Sequence, residues 1–468
     1  MAVKKGKSYQ IEIEDAAFEG KGIGHIDGMA VFVKNTAPGD VVKARVRKKS
    51  KRYCEAQLEE IITPSSIRVE PICRHADVCG GCSWQHVPYS EQIRFKTRHV
   101  ADHLRRIGGF TELEVAECLS SEHELNYRNK MEYTFGARRW LTYDEIKAGA
   151  DVEQKFFALG MHIPGRFDRI LDLQECHLQD PVSFRILDFV RDYAMEHELQ
   201  PYDTHNKTGY LRNLMIRNAF HTDDLMVNLV TYRNKPEVFK PLSEAILEQF
   251  PEVTTLINNI NDTWSPTAVG RYEEVYHGPG YITEKIHGLD FRIEANTFFQ
   301  TNTLQAEKLY QTAIDFARIS PDDLIYDLYC GVGSLTLCLA KQAEKVLGIE
   351  VSESSVQKAR ENSAANKLSN AFFETGDMKD VFSSEMNDKY GTPDVLVTDP
   401  PRAGMHEDVI HQIRELKPER IVYISCNSST LARDLAMLSD LYSVDKVQPV
   451  DMFPQTYHIE TVAQLTRK

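Results

Sequence analysis

The sequence predicts an α/β protein in three parts: a small N-terminal β-barrel, a central α+β region with a cysteine cluster, and a C-terminal doubly wound parallel sheet. Three observations predict it. Short strand-like runs broken by glycines fill residues 8–63, three cysteines gather within residues 73–82, and from residue 291 apolar runs alternate with helical stretches. At 468 residues the chain is too long for one core. Its 42% hydrophobic and 26% charged residues describe a soluble globular protein. No stretch is long and apolar enough to span a bilayer, and the N-terminus has no apolar signal region. A cytoplasmic protein, without contact to membranes, is expected.

In the first part, runs at 9–13, 29–33, 41–47 and 56–62 read as strands, with Gly20, Gly22, Gly24, Gly28 and Pro38-Gly-Asp40 as turns. About five short strands in about 60 residues suggest a barrel. The formal charge of −14 argues against a protein that coats nucleic acid indiscriminately, yet residues 1–64 carry a net +3. Lys43, Arg45, Arg47, Lys48, Lys49, Lys51 and Arg52 crowd together there. On charge alone a solvated hairpin tip and a phosphate-contacting patch are equally good readings. Pro64-Ser-Ser66 reads as a linker, so the domains are expected at 1–65, 66–290 and 291–468.

The central part opens with Cys73, Cys79-Gly-Gly-Cys82 and then a basic amphipathic helix over 90–107, with Ile93, Val100, Leu104 and Ile107 on one face. Cys176 is available as a fourth ligand. Nine cysteines without a secretion signal favour thiols or metal ligands over disulfides. Soft thiolates at this spacing suit zinc or an iron–sulfur cube, and spacing alone does not choose. His75, His86 and His177 read as non-ligands, and Cys54, Cys118, Cys330 and Cys338 as structural. From 110 to 290 strands and helices mix.

In the last part, strands are expected at 324–328, 345–349, 371–373, 395–398, 420–424 and 461–465, with helices over 335–341, 354–366, 409–415 and 429–438 between them. Asp327-Leu-Tyr329-Cys-Gly-Val-Gly-Ser334 forms a glycine-rich turn from strand to helix, where a ligand can approach the backbone. Glu350 ends the next strand, placed to accept ribose hydroxyls. NAD and S-adenosylmethionine both carry such a ribose. Asp399-Pro-Pro-Arg402 ends the fourth strand, and Cys426 follows the fifth, at the carboxyl edge where open α/β sheets build their sites. In isolation Cys426 would read as an ordinary core thiol.

Several of these segments resemble known families. Phe18-Glu-Gly-Lys-Gly-Ile-Gly24, Val31-Phe-Val33, Ala37-Pro-Gly-Asp-Val41 and Lys51-Arg-Tyr53 resemble the TRAM domain, an OB-like RNA-binding barrel. That resemblance favours the phosphate-contacting reading of Lys48, Lys49 and Lys51. The Asp327 turn looks like motif I of class I methyltransferases, whose Rossmann-like domain binds S-adenosylmethionine; Gly376-Asp377 sits where such enzymes contact adenine. Asp399-Pro-Pro-Arg-Ala-Gly404, Ser425-Cys-Asn427 and Phe453-Pro-Gln-Thr-Tyr-His-Ile-Glu460 together resemble the RNA uracil-5-methyltransferases, particularly the bacterial 23S rRNA type with TRAM domain and iron–sulfur cluster. Phe298-Phe-Gln300 is similar to that family's cofactor-binding glutamine segment. Tyr127-Arg128-Asn-Lys130 and Leu211–Arg217 resemble segments of its middle domain, and Arg128 and Lys130 are expected to contact RNA.

The resemblance implies S-adenosylmethionine as cofactor, held by Gln300, Tyr329, Ser334, Glu350, Asp377 and Asp399, and a [4Fe–4S] cluster on Cys73, Cys79, Cys82 and Cys176. It implies RNA as partner, 23S rRNA first and the thymine loop of tRNA second, and a monomer. Uracil chemistry agrees. Carbon 5 becomes nucleophilic only after a thiolate adds to carbon 6, and a base must later remove the carbon-5 proton. Cys426 and Glu460 fit those roles. Cytosine-5 enzymes carry a second cysteine in the Asp-Pro-Cys motif, where this chain has Pro401. Two other classes compete. A non-catalytic RNA-binding or assembly factor would not need Cys426 and Glu460. An iron–sulfur oxidoreductase would need a flavin or radical site, and no such motif is found.

Overall fold

The computed structural model describes residues 3–149, 156–265, 267–378 and 384–468. The N-terminal strands are β1 Ser8–Glu12, β2 Asp15–Ala16, β3 Gly22–Ile26, β4 Met29–Val33, β5 Val41–Lys49 and β6 Tyr53–Thr63, ordered β1-β5-β6-β4-β3-β2. In β5, Val42, Ala44 and Val46 are buried while Lys43, Arg45 and Arg47 face solvent, the two-residue period of a half-buried strand. Gly22 and Gly24 lie inside β3, where turns were expected. Their role is close approach: a Cβ on Gly24 would stand 2.1 Å from the carbonyl of Glu12. Nor is the 64–66 segment a free linker. Ser65 is buried, and its backbone N–H donates to the Asp40 carboxylate at 2.9 Å, which Arg68 also grips.

Helix α1 (Tyr89–Arg106) buries Ile93, Val100 and Leu104 as expected, but Ile107 lies past its end and is 49% exposed. The central strands are β7 Lys130–Gly136, β8 Arg139–Trp140, β9 Ala158–Ile163, β10 Arg166–Asp172, β11 Leu211–Asn218, β12 Leu225–Thr231, β13 Thr255–Ile260 and β14 Tyr272–His277. They form one mixed sheet, β14-β13-β12-β11-β7-β9-β10-β8. Between them run α2 (Tyr143–Lys147), α3 (Pro181–Glu196) and α4 (Pro236–Gln249). Leu214 and Ile216 of β11 pack with Leu187 of α3 and Phe239 of α4 on one face of this sheet. Met215 points the other way, into a cluster shared with the hairpin β15 (Tyr281–Ile286) and β16 (Leu289–Glu294).

The C-terminal part contains α5 Thr303–Ala317, β17 Leu324–Leu328, α6 Ser334–Ala340, β18 Lys345–Glu350, α7 Glu353–Ala365, β19 Ala371–Thr375, α8 Ser384–Tyr390, β20 Val395–Thr398, α9 Glu407–Leu416, β21 Arg420–Ser425, α10 Ser428–Leu438, β22 Tyr442–Val450 and β23 Glu460–Arg467. The sheet order is β19-β18-β17-β20-β21-β23-β22, with the reversal of winding at β17/β20. The first five strands run parallel. The last two correct the expected all-parallel sheet: β23 pairs antiparallel with β21, and with β22, a strand the sequence analysis did not find. Ser443, Asp445, Lys446 and Pro449 break the apolar run that would have marked β22. Among the described residues no helix is long and apolar enough to cross a membrane.

Candidate active site

The antiparallel β23 decides the site. Ser425 faces Thr461 in the β21–β23 ladder, and extending that register by one residue sets Cys426 opposite Glu460. Opposed residues in such a ladder stand about 5 Å apart. Asp399, one residue beyond β20 on the neighbouring strand, completes a group of three acids. Burial pushes the Cys426 thiol up to about 11, and the nearby Glu460 and Asp399 carboxyls add to that while Arg402 opposes it. Glu460 is buried, and burial together with Asp399 holds its carboxyl far above the ordinary carboxylate range. Burial raises Asp399 as well. His458, two residues before Glu460, is lowered to about 4 by burial and by Arg402, Lys96 and Arg128, so it stays neutral.

The glycine-rich turn stands two strands away. Tyr329, Gly331 and Gly333 all adopt left-handed φ, and Gly331 faces open space where a side chain would otherwise project. Each Glu350 oxygen accepts one backbone N–H, Oε2 from Gly331 at 3.2 Å and Oε1 from Ser352 at 3.0 Å, and keeps a lone pair for a hydroxyl. Ser334 Oγ bonds Tyr310 Oη at 2.8 Å; Tyr310 of α5, buried under the loop, was not singled out from sequence. Tyr329 is pushed up to about 12 by burial and by the nearby Asp377. The loop holding Gln300 is tied to the central sheet: Asn129 Nδ2 donates to the Gln300 carbonyl and to Thr303 Oγ1, both at 2.9 Å. An open glycine turn followed by a ribose-type carboxylate fits an adenosyl ligand.

One supporting pair escaped the sequence reading. Lys96 on α1 and Asp451, just after β22, form a fully buried ion pair at 2.6 Å. Lys96 also donates to the Phe453 carbonyl, while Asp451 accepts from Tyr89 and from the Phe453 N–H. The pair pins the segment that leads into Glu460. Its signal was present: Lys96 lies on the apolar stripe of α1, between Ile93 and Val100. Lys96→Met leaves Asp451 buried without its cation and is expected to cost about 3–5 kcal/mol. Urea denaturation measures that loss, and activity should fall with it.

The four candidate cluster cysteines converge in part. Cys73, Cys79, Cys82 and Cys176 lie within electrostatic reach of one another. Backbone N–H groups of His75 and Gly81 donate to the sulfurs of Cys73 and Cys79, both at 3.4 Å, and Gln85 donates to Cys82 at 3.2 Å. His75 accepts from the Gln174 N–H and so is engaged elsewhere. Among the described residues, however, no three His, Cys, Asp or Glu are gathered tightly enough to hold a metal ion. Cys54, Cys118, Cys330 and Cys338 are buried among apolar side chains.

The basic hairpin is less free than its composition suggested. Lys48 pairs with Glu55 at 3.3 Å, Arg45 with Glu59 at 3.3 Å, and Lys49 donates to the Val3 carbonyl at 2.6 Å. Lys51 and Arg52 are exposed at its tip. Arg128 donates from Nε to the Lys130 carbonyl at 3.0 Å, and both side chains are half-buried beside the central sheet.

Comparison with known proteins agrees with this geometry. Residues 2–58 match the TRAM domain family and residues 280–468 the family described as tRNA (Uracil-5-)-methyltransferase. Relatives named as uncharacterized RNA methyltransferases occur in Bacteroides thetaiotaomicron, 43% identical over 96% of this chain and 99% of the relative, and in Porphyromonas gingivalis, 44% identical over 98% and 99%. The crystal structure of the Pyrococcus abyssi tRNA (uracil-54, C5)-methyltransferase in complex with S-adenosyl-L-homocysteine superposes with a TM-score of 0.76 at 27% identity, covering 98% of this chain and 100% of that one. The chain therefore belongs to the uracil-5 RNA methyltransferases, S-adenosylmethionine-dependent enzymes, and carries a TRAM domain ahead of the catalytic part.

Proposed function

We propose that this protein methylates carbon 5 of a uridine in 23S rRNA, with Cys426 as the nucleophile at carbon 6 and Glu460 as the base. The observation that carries this reading is the register of β21 and β23, which brings a thiol and a buried carboxyl together beside Asp399. Tyr329, Ser334, Glu350, Asp377, Gln300 and Asp399 would hold S-adenosylmethionine, which would supply an electrophilic methyl group. Cys426 rests as a thiol, so its proton must leave before sulfur attacks. Two carboxyls with raised proton affinity face it. One can receive that proton while the other stays ionised for the proton on carbon 5. Carbon 6 is reached from its face, which requires the uridine to leave its stack. Arg128, Lys130 and the Lys48–Lys51 hairpin are the proposed RNA contacts; Lys51 is exposed and in no ion pair among the described residues.

A tRNA substrate has one specific observation in its favour: the Pyrococcus abyssi protein, matched over its whole length, acts on uridine 54 of tRNA. Mass spectrometry of 5-methyluridine in rRNA and tRNA from a strain lacking this gene decides between them. Loss from rRNA alone supports the first reading and loss from tRNA the second. An unchanged modification pattern overturns both.

The cysteines support a [4Fe–4S] cluster on Cys73, Cys79, Cys82 and Cys176. A cube carries its thiolates on four separate irons and so spreads them wider than one tetrahedral zinc with bonds of about 2.3 Å. What supports this reading is that the four thiols lie within electrostatic reach of one another, with N–H donors on the sulfurs of Cys73, Cys79 and Cys82. The cluster would tie the 73–82 loop to the 174–176 segment. Anaerobically purified protein is expected to be brown, with about four irons per chain, and Cys82→Ser to bleach it. A colourless protein with one zinc would overturn the assignment.

A further inference from the structure

Lys130 of β7 and Arg217 of β11 stand directly opposite each other in an antiparallel ladder. Side chains so placed share one face, and like charges there repel. Arg217 is 1% exposed. Its Nη2 donates to the Thr297 carbonyl at 2.8 Å, but Nε and Nη1, also buried, meet no partner. Burial lowers Arg217 to about 10, and among the described residues no carboxylate forms an ion pair with it. Lys130 is lowered by burial and by Arg217 and Arg128, with only Glu132 in its favour. Asn129 Oδ1, Asn218 Oδ1 and Thr301 Oγ1, on the same strands and the loop they hold, are buried without partners too. A buried cation facing another cation is costly unless something anionic joins them.

The surroundings indicate which anion. Arg128, two residues before Lys130, acts electrostatically on His458 beside the catalytic pair. The loop that Arg217 and Asn129 hold carries Gln300. The cationic seam therefore runs from the central sheet toward the reacting atoms. A half-buried ammonium with a second, buried cation beside it suits a phosphodiester oxygen. We propose that a backbone phosphate of the RNA strand beside the target uridine docks on Lys130, with the buried charge of Arg217 beside it strengthening the contact. This rests on the RNA-methylating reading above.

The test is Arg217→Met, which keeps the bulk and removes the charge. Three quantities are measured: affinity for unmodified 23S rRNA and tRNA transcripts across a salt series, affinity for S-adenosylmethionine, and the melting temperature of the RNA-free protein. For the transcript that wild type methylates, affinity should fall about tenfold and the salt slope shrink by about 0.7–0.9, one phosphate contact. Cofactor affinity should hold, and the melting temperature should hold or rise, because an uncompensated charge has gone. A lower melting temperature with unchanged RNA affinity would make Arg217 a strut for Thr297 and overturn the proposal. So would weakened cofactor binding alone, which would identify the cofactor's carboxylate as the anion. If Arg217→Met does not fold, Lys130→Met, at a half-buried position, is read by the same three measurements. Wild-type protein that methylates neither transcript would instead sink the proposed function, a result independent of Arg217.

Discussion

Cys426→Ala is expected to abolish methyl transfer while leaving S-adenosylmethionine binding intact. Turnover should fall to background, because without a sulfur on carbon 6 carbon 5 is never activated. The variant should fold normally: Cys426 is half-buried, and a small side chain leaves little cavity behind. No other cysteine can substitute. Cys330 and Cys338 are buried, and burial holds the Cys338 thiol up at about 12 and Cys330 higher than its ordinary value. Calorimetry for the cofactor and single-turnover assays for transfer separate the two effects. A variant that retains more than a few percent of wild-type turnover would sink the covalent scheme.

Glu460→Gln should fail at the opposite end of the reaction. RNA and cofactor bind, the thiolate adds and the methyl group arrives, but the carbon-5 proton stays. The sulfur then cannot leave, and a methylated protein–RNA adduct accumulates, visible as a shifted band on a denaturing gel. Multiple turnover should drop by about 10²–10⁴-fold. Free turnover without adduct would assign the base to another residue, with Asp399 the first to examine. The same substitution has a stability signature. Burial and Asp399 raise the proton affinity of Glu460 in the folded chain above its unfolded value. Its contribution is therefore fully present below the ordinary carboxylate range and is lost as pH rises toward and through the raised value. Glu460→Gln should flatten that decline, as thermal melts across pH would show.

Much of the scaffold was legible because it is local. The strands at 324–328 and 395–398 occur residue for residue as β17 and β20, since each is a short apolar run bounded by turn-forming residues. The barrel was legible in the alternation of β5, though it has six strands where about five were expected. Less was legible where one residue type serves two purposes. Gly22 and Gly24 mimic a turn but serve a close strand crossing. Lys96 counts as a surface charge in any composition yet lies buried against Asp451. The crowded cations of 43–52 looked free, but pairing depends on which residues of β6 face them, and those include Glu55 and Glu59.

By itself the sequence determined the three-part α/β organisation, the strand-end positions of the glycine turn, Glu350, Asp399 and Cys426, and the chemistry those residue types can perform. Each of these depends on residues adjacent in the chain. Only the tertiary structure decided the direction of β23. In the all-parallel sheet expected from β/α alternation, Glu460, at the N-terminal end of its strand, would lie at the far edge from Cys426, at the C-terminal end of β21. The long hairpin β22–β23 reverses the strand and brings the two to neighbouring positions in one ladder. Strand direction is set by how the connection packs and which edge remains to be paired, both non-local, and so no window of sequence carries it. The opposition of Lys130 and Arg217 has the same origin: a β-sheet register between segments far apart in the chain makes a like-charged pair that neither segment shows alone.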